Sequence, residues 1–345
     1  MSDAHPETKV ADPLADAARL EREGRGLDAI RQLTEANRAR RDPLVEERLV
    51  TLRHAVFPSL RYRPPEALPP EVVAEEPGGP LATTAPKNLT VQALRRGLAQ
   101  SGCVLVRGLI SEDRAAALAR GIDRALEAFD ACAATSGPHA ASPWYVPFSP
   151  RAGEYRVGGR RGWVRASGGL WTADSPRMLF ELMEVVEEAG IGALVEQYLG
   201  ERPALSANKC TLRRVPVDTN TNWHQDGAFL GRHVRTLNCW LALSSCGTDA
   251  PGLDVVPRRF DEVLPTGTDG ALFDWSVSPD LVNTVAGGPD AVVRPEFSPG
   301  DAMLFDHLFL HRTAVARGMT RERHAIETWF FAPSTYPEGQ IPLAY

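Results

Sequence analysis

The chain has 345 residues, of which 43% are hydrophobic, so it is long enough for one large domain with a substantial core and a smaller appendage. Its formal net charge of -6, without a long basic stripe, argues against a nucleic-acid partner, and no apolar run has membrane length. The polar, acidic N-terminus is not typical of a signal peptide, and five cysteines without C-x-x-C spacing favour a reduced protein, so we expect a cytoplasmic location.

The N-terminal part, residues 1–57, is predicted to be a separate helical segment. From Asp12 to about Phe57, apolar residues recur at helical spacing, with breaks near residues 24–26 and at Pro43. The pattern is loosely similar to one helical hairpin of the tetratricopeptide type. A single hairpin cannot bury its own apolar face, so we expect it to pack on the main domain or to mediate oligomerisation.

Residues 58–88 are rich in proline and glycine, which predicts an extended linker along the surface. The main domain, residues 89–345, then begins with a predicted helix over Val91–Gln100 and a short apolar strand over Cys103–Arg107. Further helices are predicted over Ser111–Ala134, Ser175–Glu188 and Ile191–Leu199.

Beyond Pro203 the pattern changes from helices to strands. Strands are predicted over Lys209–Val215, Val234–Leu243, Leu253–Val256, Ala302–Phe305 and Arg323–Phe331. Helices early and strands late are the order expected when helices pack outside a jelly roll. We therefore predict a mainly β fold with packed helices, preceded by the N-terminal helical hairpin.

The strongest chemical signal is the hexapeptide Asn222–Gly227, which contains His224 and Asp226. In an extended segment the side chains at positions i and i+2 project from the same face, so both residues can reach one ion. A distant histidine, His311, could supply the third ligand from a neighbouring strand. Two imidazoles and one carboxylate form the triad that holds non-haem Fe(II) and leaves coordination positions open.

Four ordered motifs resemble the phytanoyl-CoA dioxygenase family over roughly the C-terminal two-thirds of the chain. They are Thr221–Gly227, Pro251–Pro257, the turn Pro299–Asp301 and the basic strand Arg323–Ile326. The resemblance implies a double-stranded β-helix, also called a cupin-like jelly roll. It also implies an Fe(II)- and 2-oxoglutarate-dependent dioxygenase that acts on a small molecule, with O2 as the other cosubstrate.

By this resemblance the catalytic metal ligands are His224, Asp226 and His311. Arg323 is expected to pair with the far carboxylate of 2-oxoglutarate, and the Thr313 hydroxyl to add to that contact. An arginine suits this role because its planar guanidinium binds a carboxylate through two parallel hydrogen bonds.

Four other residues are candidates to line the cosubstrate pocket. Gln225 and Trp240 have approximate counterparts near 2-oxoglutarate in family members, whereas Lys209 and Asn238 are suggested only by their predicted strand positions.

Two assignments have competitors nearby in the sequence. His307 and His311 have the same parity on what the pattern predicts to be one strand, and the family spacing after Phe305 selects His311. Arg317 and Arg321 compete with Arg323, because the chain has one more residue between the histidine and the arginine than the best-known family spacing.

The resemblance also bounds the reaction. Related halogenases replace the triad carboxylate by a small residue, whereas Asp226 is present here, which favours hydroxylation, or a related desaturation or ring closure, through a ferryl intermediate. Two alternatives remain: a jelly-roll binding protein with a structural or absent metal, and an iron cupin enzyme that does not use 2-oxoglutarate.

Residues 135–173 are rich in aromatic residues, glycine and arginine. The aromatic side chains could form a lid over the metal or anchor the segment to the core. The segment also carries a local basic patch, which we interpret as a solvated loop. The patch consists of Arg156, Arg160, Arg161 and Arg165.

Overall fold

The N-terminal segment contains three helices in the computed structural model, which describes residues 12–60, 81–134, 142–155, 157, 160–219 and 222–345. The helices are α1 (Pro13–Arg22), α2 (Gly26–Ala39) and α3 (Pro43–Val56). Asp12 and Asp42 begin α1 and α3, because each carboxylate accepts the second backbone N–H of its helix. The predicted breaks are therefore confirmed, but the unit has one helix more than the predicted hairpin.

Seven further helices are described in the main domain. They are α4 (Val91–Ser101), α5 (Glu112–Ala134), α6 (Arg160–Ala166), α7 (Pro176–Glu188), α8 (Ile191–Leu199), α9 (Gly227–Leu230) and α10 (Pro279–Ala286). The predicted helices correspond to α4, α5, α7 and α8 within one residue at each end. The sequence pattern did not predict α6, α9 or α10, which are short.

A large mixed sheet forms the centre of the described structure. Its strands are β1 (Thr83–Thr84), β2 (Cys103–Val106), β3 (Gly169–Trp171), β4 (Ala204–Ser206), β5 (Thr211–Val215), β6 (Thr236–Ala242), β8 (Ala302–Phe305), β10 (Arg323–Phe331) and β11 (Pro342–Ala344). The main path runs β1-β2-β8-β6-β10-β4-β11, and β5 pairs with both β10 and β3. A second sheet pairs β7 (Gly252–Val255) with β9 (His311–Ala314).

Strand β10 shows how the two faces of the large sheet differ. Ile326 and Phe330 pack with the helices, whereas Ala325 and Trp329 pack with Leu253 of β7 in the core between the sheets. This alternation follows from the two-residue period of a strand. Because Arg323 shares the parity of Ala325, its side chain also lies on the face between the sheets.

The turn before β8 explains one of the sequence motifs in structural terms. Gly300 has a φ of 93°, and a Cβ there would lie 2.2 Å from the Ile110 carbonyl oxygen, so only glycine fits. The Asp301 carboxylate accepts hydrogen bonds from the backbone of Gly108 at 2.8 Å and from Arg107 at 2.7 Å. The Gly-Asp pair therefore joins β8 to the segment that follows β2.

The N-terminal helices pack on the main domain, as one of the two predicted alternatives required. Their apolar residues form one cluster with Phe180 of α7 and Ala344 of β11. On α3, Arg53 donates to the Ala344 carbonyl oxygen at 2.8 Å, and the buried Glu46 accepts two bonds from Arg177 at 2.6 and 2.8 Å. Residues 1–11 and 61–80 lie outside the described ranges, so the boundaries at residues 57 and 88 stay predictions.

Two local predictions in the strand region were wrong. Lys209 lies in the turn between β4 and β5 rather than in a strand, because the backbone N–H groups of Lys209 and Cys210 both donate to the Ser206 carbonyl oxygen. His307 and His311 do not share a strand, since residues 306–310 connect β8 to β9. None of the described helices is both long and apolar enough to span a membrane.

Candidate active site

His224, Asp226 and His311 converge at one end of the space between the sheets. One potential ligand atom from each residue lies within 4.8 Å of the others. His224 and His311 form an antiparallel bridge, in which the N–H of each donates to the carbonyl oxygen of the other at 3.0 and 3.1 Å. The backbone therefore positions both imidazoles, whose ring centroids are 4.5 Å apart.

Both imidazoles are oriented by main-chain carbonyl groups. Nδ1 of His224 lies 2.9 Å from the Asn222 carbonyl oxygen, and Nδ1 of His311 lies 3.0 Å from that of Phe309. Because a carbonyl oxygen only accepts, Nδ1 carries the proton and Nε2 of a neutral ring is left with its lone pair for an ion. Burial, reinforced by the nearby His224, lowers the pKa of His311 to about 4, so this ring is neutral at physiological pH.

Asp226 divides its two carboxylate oxygens between different neighbours. Oδ2 lies 3.8 Å from Nε2 of His311, while Oδ1 lies 3.7 Å from Nζ of Lys209. Residue 226 also begins α9, where its carbonyl oxygen accepts the backbone N–H groups of Phe229 and Leu230. The side chain is thus fixed between an imidazole and an ammonium group.

His307 is not part of this cluster. Its carbonyl oxygen accepts the Gly227 N–H at 2.8 Å, and its Nε2 lies 3.3 Å from the Arg232 carbonyl oxygen. The ring is buried and Nδ1 has no hydrogen-bond partner. Its role in the structure is to support the turn that presents Asp226.

Arg323 is a buried cation with no anionic partner in the described part of the chain. Its side chain is only 1% exposed, Nη1 donates to the carbonyl oxygens of Pro251 and Gly252 at 3.1 and 2.7 Å, and Nε has no partner. None of the described carboxylates lies within 4.0 Å of the guanidinium. Burial lowers the pKa of Arg323 to about 10, because the charged guanidinium loses its hydration.

The other two arginines that the sequence offered for this role are exposed. Arg321 faces solvent beside Asp249 at 3.5 Å, and Arg317 is exposed in the preceding turn. Only Arg323 points into the space between the sheets.

The side chains of Thr313 and Trp240 face the space between the sheets, as that of Arg323 does. Thr313 is two residues beyond His311 on β9, so both side chains project from one face of that strand. Trp240 of β6 is buried, with its ring centroid 5.2 Å from the Arg323 guanidinium carbon. This cation–π contact partly offsets the missing charge partner.

Gln225 and Asn238 are engaged in structural contacts. The Gln225 amide donates to the carbonyl oxygens of Glu262 and Leu308 and accepts the Leu264 N–H, so its side chain faces away from the triad. The Asn238 side chain accepts the Thr328 N–H at 3.2 Å and helps to hold β6 against β10.

The comparisons with known proteins place this geometry on a known fold. No family model and no curated protein matches the sequence. Among solved structures, EctD from S. alaskensis with 2-oxoglutarate and 5-hydroxyectoine is 18% identical with a TM-score of 0.51, over 81% of this chain and 85% of that one. The same protein with bound Fe is 17% identical, again with a TM-score of 0.51, over 81% of this chain and 86% of that one. The shared fold is a double-stranded β-helix.

Several residues near the triad were not singled out from the sequence. Glu327 has the same parity as Arg323 on β10, accepts the Thr211 hydroxyl at 2.8 Å, and lies 3.9 Å from Nε of Arg213. A charged residue inside a buried strand is a signal that could have identified it.

Aromatic side chains also lie close to His224. The ring centroids of Phe229 and Trp275 lie 6.1 and 5.6 Å from that of the His224 imidazole, and Phe273 stacks on Trp275 with ring centroids 5.1 Å apart. No local sequence pattern connects these residues, because Trp275 belongs to the long connection between β7 and β8.

The arginine-rich segment before α7 forms helix α6, and its interpretation as a solvated loop was wrong for Arg161, whereas Arg160 is exposed as predicted. The Arg161 guanidinium forms two bonds of 2.7 Å with the buried Asp174 carboxylate and lies 4.4 Å from the Trp171 ring centroid. Arg160 donates to the Gly339 carbonyl oxygen, and Arg165 to Asp130. Arg156 and residues 135–141 lie outside the described ranges.

Proposed function

We propose that this protein is an Fe(II)- and 2-oxoglutarate-dependent dioxygenase that hydroxylates a small-molecule substrate. The observation that carries the proposal is Arg323, a fully buried guanidinium without a carboxylate partner, on the same face as the His224–Asp226–His311 cluster. A buried charge is costly unless it is paired, so a guanidinium held in this way is suited to a carboxylate ligand.

His224, Asp226 and His311 are the residues that would hold the iron. Two neutral imidazole nitrogens and one carboxylate are the donor set that non-haem Fe(II) oxygenases use. The bridged backbone and the two Nδ1 contacts leave Nε2 of each ring free for an ion. When bound, such an ion activates O2 for insertion into an unactivated C–H bond.

Arg323 would bind the far carboxylate of 2-oxoglutarate, and Thr313 would add a hydroxyl. The fold that this chain shares with EctD is one on which 2-oxoglutarate and Fe have each been observed. The chain thus offers a metal-binding cluster and a carboxylate-binding cation on one interior surface, as a chelating keto acid requires.

Two buried aromatic rings shield the His311 side of the cluster from water. The rings of Phe305 and Phe309 lie 4.8 and 5.7 Å from the His311 ring and are almost fully buried. Exclusion of water strengthens the electrostatic contacts within a site and suppresses side reactions.

Titration of 2-oxoglutarate against arginine variants tests the proposal. Arg323→Leu removes the paired charge and should weaken 2-oxoglutarate binding by about 2 to 4 kcal/mol, whereas iron binding should persist. The exposed Arg317→Leu and Arg321→Leu are matched controls and should change it by less than about 1 kcal/mol. The visible absorbance of the Fe(II) chelate under anaerobic conditions measures the affinity.

Succinate release tests the reaction itself. The wild-type protein with Fe(II), ascorbate and 2-oxoglutarate should form succinate slowly without its substrate, and Asp226→Ala should abolish this. A metal-bound protein that forms neither the chelate nor succinate would instead be a binding protein or an iron enzyme that does not use 2-oxoglutarate.

A further inference from the structure

The turn that carries Lys209 is held rigidly beside the triad. Nδ2 of Asn208 donates to the Gln340 side chain at 2.6 Å, and its Oδ1 accepts the Ile341 N–H at 2.8 Å. Lys209 itself is the next residue, and its Nζ lies 3.5 Å from the Phe229 ring centroid and 3.7 Å from Oδ1 of Asp226. The ammonium group is therefore placed at the edge of the candidate metal site by the fold.

Apart from Asp226, no described carboxylate lies within 4.0 Å of the Lys209 ammonium group. Glu327, the other carboxylate whose charge acts on Lys209, accepts the Thr211 hydroxyl and lies 3.9 Å from Nε of Arg213, and Arg323 would take the far carboxylate of 2-oxoglutarate. The Asp226 carboxylate would give its charge to the metal ion. A partly buried ammonium, 21% exposed, then requires an anion from another source.

The surface next to Lys209 is aromatic and open. Phe229 is 39% exposed although it is a large apolar residue, and Trp275 lies edge-on to it with ring centroids 6.4 Å apart. Both rings also lie close to His224. An exposed apolar surface beside a reacting centre is suited to the apolar body of a ligand.

We propose that the primary substrate is a small organic acid, whose carboxylate binds Lys209 while its apolar body packs on Phe229 and Trp275 beside the metal. The proposal rests on the proposed function, because the metal and 2-oxoglutarate occupy the other anion-binding groups. The contact between Lys209 and the carboxylate would determine which substrates bind. The short distance from Lys209 to the triad would limit oxidation to carbon atoms near that carboxylate.

Three probes with one body and different head groups test this assignment: phenylacetate, phenylacetamide and 2-phenylethylamine. Binding is measured by calorimetry on anaerobic protein saturated with Fe(II) and 2-oxoglutarate. We expect phenylacetate to bind at least tenfold more tightly than the other two. Lys209→Met should reduce this preference to less than twofold, Lys209→Arg should retain it, and the exposed Lys87→Met serves as the matched control without effect.

The chelate absorbance, recorded in the same samples, separates this proposal from the proposed function. Normal chelate with no preference for phenylacetate, or a preference that survives Lys209→Met, overturns the acid site alone. A loss of iron affinity in Lys209→Met without any preference for the acid in the wild type would show that Lys209 only positions Asp226. If metal-loaded protein forms no chelate with 2-oxoglutarate but still prefers phenylacetate in a Lys209-dependent way, the proposed function is overturned and the acid site is retained.

Discussion

At the scale of single residues, two histidines of similar sequence context have different surroundings. His311 exchanges two backbone hydrogen bonds with His224 and lies against Asp226, whereas His307 lies in the connection before it and faces the Arg232 carbonyl oxygen. Of these two histidines, only His311 directs its Nε2 towards Asp226 and belongs to the candidate metal-binding cluster.

This difference gives a prediction for metal binding. His311→Ala should lower the affinity for Fe(II) by at least tenfold, because it removes one of three protein ligands. His307→Ala, the matched control, should change the Fe(II) affinity less than threefold, since the His307 ring faces the Arg232 carbonyl oxygen and not the triad. Competition with a chromophoric chelator measures both, and equal losses in the two variants would contradict the assignment.

The residues of the triad could be predicted from the sequence, whereas the residues around them could not. His224 and Asp226 are two residues apart and, with His311, belong to motifs that the sequence analysis identified by their order, although Asp226 begins α9 and does not continue an extended segment as predicted. Lys209, Phe229 and Trp275 come together only because separate connections meet beside His224. Their proximity depends on tertiary packing, for which a single sequence contains no local signal.

At the scale of elements, the long amphipathic helices were predicted well, whereas the short strands and turns were predicted poorly. Helices α4, α5, α7 and α8 have amphipathic patterns long enough to identify. The three-residue strands β3, β4 and β11 are fixed by pairing with neighbours rather than by their own composition. Lys209 was misassigned to a strand because the turn between β4 and β5 contains neither glycine nor proline to mark it.

The packing of α3 on α7 gives a second prediction. Glu46 is fully buried and accepts bonds from Arg177 and Asn37, so Glu46→Ala leaves an unpaired, largely buried guanidinium. We expect a loss of about 3 kcal/mol in the free energy of unfolding. Chemical denaturation monitored by circular dichroism measures the change.

The matched control lies on the same interface. Glu187 pairs with Arg38 but is 64% exposed, so Glu187→Ala should cost less than about 1 kcal/mol. Similar losses in the two variants would show that the buried ion pair does not hold the N-terminal helices to the main domain.

At the scale of the whole molecule, the fold is shared with EctD although the two sequences are only 18% identical. Such a difference in sequence is compatible with two facing sheets, because strand alternation and apolar volume are satisfied by many sequences. The sequence predicted the architecture through its patterning and motifs. The attachment of the N-terminal helices to α7 and β11 was predicted only as one of two alternatives, since the contacting residues are far apart in the chain.

The buried histidine makes global stability depend on pH in the metal-free protein. The pKa of His311 is about 4 in the folded state and about 6.5 in the unfolded chain, so between these values the unfolded state binds the additional proton. The contribution of His311 to the free energy of unfolding is therefore nearly complete above pH 6.5 and falls as the pH drops towards 4. We expect a loss of about 2 kcal/mol from this group between pH 7.5 and 5.

Urea denaturation of the metal-free protein at the two pH values measures this loss, with His311→Gln as the reference that cannot titrate. If the wild type and the variant lose the same stability, His311 is not the group responsible. Bound metal should not remove this pH dependence, since it binds only the neutral imidazole and the unfolded state remains the form that takes up the proton.

The connection that carries Phe273 and Trp275 is attached at both ends to the residues that flank His224. The Val277 N–H donates to the Trp223 carbonyl oxygen at 2.8 Å, and the Gln225 side chain accepts the Leu264 N–H at 2.7 Å. Residues 265–276 are therefore expected to tolerate changes in length and composition without displacing His224, which lies between the two attachments. Under the proposed function, a different loop grafted there would alter which substrate packs beside His224 and would leave the three candidate metal ligands in place.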